Sequence, residues 1–188
     1  MPGGFGLRRR VRRRERGAVA VETALVSLVL VTILAGIIDA SMLFRDSLSV
    51  ASASRAAART GASEPLAATF ATDAAQQAVN ALSEVDYTRI NKIWVYRADP
   101  VTGAPVSGWT CASDCVHFKV NASGALNPEG GSWHNRNACA GTTLDAVGVL
   151  VEYSHPSTIG VFFNDQIVSE HAVMQLEPIP SSMACVSS

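Results

Sequence analysis

Between Thr23 and Ile38 the chain runs for 16 residues without a charged side chain, and no other feature constrains its fold as much. Extending the run to Ala18 and Phe44 gives 27 residues interrupted only by Glu22 and Asp39. At about 1.5 Å per helical residue, the stretch from Ala18 to Asp39 covers roughly 32 Å, close to the ~30 Å hydrocarbon thickness of a bilayer. The two carboxylates then fall near opposite faces of the membrane, where a charge costs less than at the midplane. The segment reads as one membrane-spanning helix, with Asp39 expected to snorkel to the outer interface.

Charge gives the helix a direction. Residues 1–17 hold seven arginines (8, 9, 10, 12, 13, 14 and 16) against Glu15, a balance of +6, whereas residues 18–188 hold 8 basic and 15 acidic groups, a balance of −7. Lys and Arg are retained on the cytoplasmic side, so the N-terminus is expected inside and the body outside. A basic end followed by an acidic body argues against a nucleic-acid-binding domain. The apolar core is longer than the ~7–15 residues of a secretory signal peptide. The best small-residue cleavage site, Ile38-Asp39-Ala40, carries an acid. An uncleaved signal anchor carrying an extracytoplasmic binding domain accounts for all of this except Glu22.

Beyond the apolar run, Leu43 to Ala62 contains no Pro and no Gly before Gly61. Leu43, Phe44, Leu48, Ala51 and Arg55 make no broad apolar stripe, and the small side chains around them suit close helix packing. One helix over roughly 18–60 is predicted, ended by Gly61, Ser63 and Pro65. Leu66, Phe70, Ala74, Ala78 and Leu82 then recur at near-helical spacing, predicting a second helix within 65–85 with one face on a core. After residue 88 the pattern is that of strands: Arg89 to Ala98, Cys115 to Val120, Ala146 to Tyr153 and Ile167 to Glu177. Asn121 to Thr142, rich in Gly, Asn and Ser, reads as an exposed insertion. The expected architecture is α+β: a long transmembrane and stalk helix (18–62) behind an Arg-rich cytoplasmic leader (1–17). An extracytoplasmic head (63–188) follows, with a second helix and an antiparallel sheet of about four strands.

Cys111, Cys115, Cys139 and Cys185 all follow the membrane segment, and an even count outside the cytoplasm favours disulfides, with three possible connectivities. The preferred pattern closes a small loop between Cys111 and Cys115 and clips the C-terminal tail through Cys139 and Cys185. Zinc is the competing reading, with His117 and His134 near in sequence. Cys-x3-Cys with irregular later ligands is poor zinc spacing, so no metal is expected. No nucleophile elbow, P-loop or dinucleotide fingerprint is present. The chain is therefore expected to be no enzyme and to need no cofactor, and no small-molecule substrate is evident.

Glu22 leads to a resemblance. In "RGAVAVE" Gly17 is followed by Ala18 as a first residue and Glu22 as a fifth, behind a short basic leader. This is similar to the type IV prepilin processing signature. The exit "GIID" (Gly36 to Asp39), the Ala/Arg-rich "SASRAAARTGA" and the C-terminal "DAVGVLVEYSH" and "HAVMQLEPIP" resemble the TadE-like minor pseudopilins of the tight-adherence (Flp-type) pilus. The resemblance implies a structural protein of the bacterial cytoplasmic membrane, trimmed after Gly17 by a prepilin peptidase. It implies other pilins or pilus platform proteins as partners. It also gives Gly17, Ala18 and Glu22 the processing and assembly role.

Overall fold

The computed structural model describes residues 8–157, 165–180 and 182–186, with side chains from Gly17 onward. Helix α1 runs from Arg8 to Ser63, 56 residues, or about 84 Å, and so exceeds the predicted 18–60 at both ends. Its sequence has no Pro, and Glu64-Pro65 lies just past its end, where a proline's missing N–H and ring would break a helix interior.

The face of α1 that meets the rest of the protein carries Leu43, Asp46, Val50, Ala53, Ser54, Ala57, Ala58 and Ala62, three or four residues apart as one helical stripe requires. Phe44 and Leu48 lie on another side and are exposed. Asp39, expected at the outer interface, is only 2% exposed. It lies seven residues before Asp46 and so on the same side of the helix.

Helix α2 (Phe70–Ala81) starts later than its periodicity predicts. The cause lies in Arg136, whose buried guanidinium holds the preceding turn. It donates to the Pro65 carbonyl (2.7 Å), the Ala67 carbonyl (3.1 Å) and the Trp133 carbonyl (2.6 Å), and sits over the Phe70 ring at 4.6 Å. Phe70, Ala74, Ala78 and Leu82 are buried, as their spacing requires.

Five antiparallel strands form one sheet: β1 (Ile90–Ala98), β2 (Cys115–Val120), β3 (Leu126–Ser132), β4 (Ala146–His155) and β5 (Gln166–Gln175), in the order β3-β2-β1-β4-β5. The expected count of about four is corrected to five, because part of the predicted insertion pairs as β3. That strand reads Leu-Asn-Pro-Glu-Gly-Gly-Ser and is exposed along nearly its whole length. It sits at the sheet edge, where Pro is tolerated. Gly131 (φ +82) has to be glycine, because a Cβ there would strike the Cys115 carbonyl.

One face of the sheet packs on the helices. Ile93 and Val95 of β1, Phe118 of β2 and Val147, Val149 and Val151 of β4 meet Val50, Ala53, Ala57, Phe70, Ala74 and Ala78 in one core. Each fully buried Val, Ile or Phe contributes about 1.5–3 kcal/mol. Polar ties fix the docking of α1: Asp46 Oδ2 lies 2.7 Å from His155 Nδ1 at the end of β4, and the Ser54 hydroxyl donates to the Glu170 carbonyl of β5 at 3.1 Å. On the other face, Tyr96 lies over Gly148 of β4, its cross-strand partner, where a Cβ would collide with the ring. The Tyr96 hydroxyl donates to the Gly103 carbonyl at 3.0 Å, and burial pushes its pKa up to about 12. The loop after β1 turns on Asp99, whose carboxylate accepts from the Thr102 and Val101 N–H groups and the Thr102 hydroxyl and is held below its ordinary pKa by them.

Candidate membrane and assembly segment

The free half of α1 is built for an apolar medium. From Val19 to Ile38 its Val, Leu and Ile side chains are exposed on all sides, and the helix is long and apolar enough to cross a membrane. Three hydroxyls in and just beyond it bond back along the helix: Thr23 donates to the Val19 carbonyl (2.8 Å), Thr32 to that of Leu28 (2.7 Å) and Ser41 to that of Ile37 (2.7 Å). Such bonding back along the helix satisfies these three hydroxyl protons without solvent. One apolar N-terminal helix of this kind fits a single-pass membrane protein.

Gly17, Ala18 and Glu22 occupy the beginning of this exposed stretch. All three are helical and open to the surroundings, and no side chain approaches Gly17 within 4 Å of where a Cβ would stand. Glu22 is one helical turn, about 6 Å, beyond Ala18. Among the described residues, no element of the head covers these three. The first seven residues of the predicted leader lie outside the described part, and 8–16 are described only as helical backbone.

The four cysteines belong to the head and lie apart from Glu22. Cys111 pairs with Cys115, and Cys139 with Cys185, the preferred pairing of the three. The first loop requires left-handed backbone at Cys111 (φ 51) and Asp114 (φ 48). The second bridge ties the C-terminal tail to the segment after β3, beside the backbone bridges Asn137 to Val186 and Cys139 to Ile179. With all four sulfurs oxidised, none is a thiolate to bind zinc. His117 lies near one bridge, its Nδ1 3.8 Å from Cys111 Sγ.

Sequence reasoning missed a grouping made by the topology. Trp94 of β1, Trp109 of the following loop and His171 of β5 share the helix-free face of the sheet. The spacing of the strands along the chain carried no signal of it.

No curated protein and no solved structure matches the chain. Residues 17–59 match the family described as TadE-like protein, a match that begins at Gly17, takes in the exposed apolar stretch and most of the docked half of α1, and ends before α2 and the sheet. The helix that carries Gly17, Ala18 and Glu22 is thus the part of the chain that is similar to TadE-like proteins.

Proposed function

We propose that this chain is a structural, non-catalytic minor pilin-like protein that assists assembly of a tight-adherence pilus or a related secretion apparatus. It resides in the bacterial cytoplasmic membrane with its leader inside and its head outside, and a prepilin peptidase trims it after Gly17. The observation that supports this reading is the placement of Gly17 and Glu22 at the start of the exposed apolar half of α1, within the stretch similar to TadE-like proteins. Cleavage creates an ammonium group at Ala18. Glu22 of one subunit then meets the Ala18 amine of a neighbour, so that two charges costly in low dielectric neutralise one another. Partner pilins or a platform protein pack on the same apolar surface.

The test is the intact mass and N-terminal sequence of the protein purified from its own membranes. A chain beginning at Ala18, and retention of the leader in Gly17→Asp, are expected. A mature protein that keeps all seven leader arginines would sink the processing reading and leave an uncleaved, signal-anchored binding domain.

A further inference from the structure

The helix-free face of an open antiparallel sheet is ordinarily polar, because it meets water. Here it holds a groove of about 290 Å³ whose floor is Trp94 and Leu150, direct partners across β1 and β4. Trp109, half exposed, forms one wall. It is held edge-on by Tyr96 (centroids 6.0 Å apart, 65° between planes) and by His171 (5.6 Å, 70°). The Cys111–Cys115 bridge closes the chain two residues beyond it. Opposite stand Lys92 and Glu152, a second cross-strand pair, 2.7 Å apart, with the ammonium 5.0 Å from the centre of the Trp94 ring. Glu152 also accepts from the Asn91 amide at 3.2 Å, so the rim is fixed before any ligand arrives.

We propose that this groove binds a neutral saccharide, as a plain hexose or an N-acetylhexosamine. The charges of Lys92 and Glu152 cancel, so the rim gives no net attraction to an ion: an anion meets the carboxylate and a cation meets the ammonium. The same pair nonetheless offers hydrogen-bond donors and acceptors side by side, joined by the Ser169 hydroxyl and the His171 ring. A wholly apolar ligand would desolvate these groups without replacing their bonds with water. A pyranose ring satisfies both requirements. Its C–H face lies on an indole while its hydroxyls, each donor and acceptor, engage the rim. The groove has room for one or two such rings. The proposal stands independently of the pilus reading, since it uses only the head.

The test uses the full-length protein in lipid nanodiscs, without glycoside detergents. Cellobiose, methyl β-galactopyranoside and N,N′-diacetylchitobiose are titrated by calorimetry and tryptophan fluorescence. Saturable binding of at least one, with Kd of about millimolar or tighter, is expected. Trp109→Ala weakens it about tenfold or more, and Glu152→Gln weakens it to a smaller degree. Trp133→Phe, a change on the opposite side of the sheet against Phe70, leaves it intact. Preference for diacetylchitobiose identifies an acetamido sugar such as those of cell-wall glycan, and preference for either of the others a plain hexose; both uphold the proposal. Absence of saturable binding to all three, or undiminished binding by a folded Trp109→Ala protein, overturns it.

Discussion

From Val19 to Ile38, α1 carries Val, Leu and Ile exposed on every side, whereas from Leu43 to Ala62 its most deeply buried residues are Val50, Ser54 and three alanines (53, 57 and 58). One continuous helix therefore has bulky side chains where the described head does not pack and small ones where a sheet lies close. Hydrophobicity says only that a residue leaves water; side-chain size says what replaces the water. Fluid lipid chains accommodate large aliphatic groups of any shape. A sheet packed at native density leaves room at the closest approach for little more than a methyl. The exposed half of the helix suits a membrane, and the buried half supports the stability of the head.

The same substitution made in the two halves gives the largest expected contrast. Ala57→Leu overpacks a site with 0% exposure and is expected to lower the head's stability by about 1–3 kcal/mol. Ala24→Leu, in the exposed half, is expected to change it by less than about 0.5 kcal/mol. Thermal melting of the full-length proteins, followed by near-ultraviolet circular dichroism, measures both. Equal losses would break the distinction between the two halves.

Alkali sharpens the distinction without mutation. Folding raises the pKa of Tyr96 from 10.0 to about 12, so between these values the folded head retains a proton that the unfolded chain releases. This contribution is complete below pH 10 and is lost as pH rises through about 12. The head's tertiary signal is expected to decline over that window while the helical signal of the membrane half persists. Simultaneous loss of both would join the halves into one cooperative unit. The smallest effect is expected at Arg45–Glu84, a 2.8 Å ion pair between α1 and the segment after α2 with both side chains mostly exposed. Arg45→Ala should cost no more than about 1 kcal/mol in the same melting experiment, and less at high salt.

The contrast also marks which features were legible in the sequence. The membrane stretch announces itself by 16 uncharged residues, and α2, β1, β2, β4 and β5 by periodicity, because in these segments the pattern along the chain is the pattern of burial. β3 follows no such pattern: Pro128, Gly130 and Gly131 form a strand only because β2 offers an edge and a bulge allows the approach. The docking stripe of α1 escaped detection because alanine is apolar without being large, and Phe44 and Leu48 pointed to the wrong side. The burial of Asp39 could not be read from its chemistry, because the side of α1 that docks is set by contacts such as Asp46 with His155. The groove of Trp94, Trp109 and His171 depends on β5 lying beside β4 and on a disulfide-closed loop, neither of which is written in the neighbourhood of any of the three residues. Gly17 and Glu22 were singled out in the opposite sense, by a five-residue spacing that needs no tertiary structure, and their role belongs to the proposal.

The unbroken course of α1 has a rotational consequence. With no proline between Gly17 and Ser63, the membrane half and the head share one angular phase, and each residue along the helix corresponds to about 100° of turn and 1.5 Å of rise. The direction in which the Trp109 groove faces is therefore set by which side of the membrane helix is taken by a neighbour. Any array built through that helix would repeat the groove at a constant azimuth, like marks along a thread.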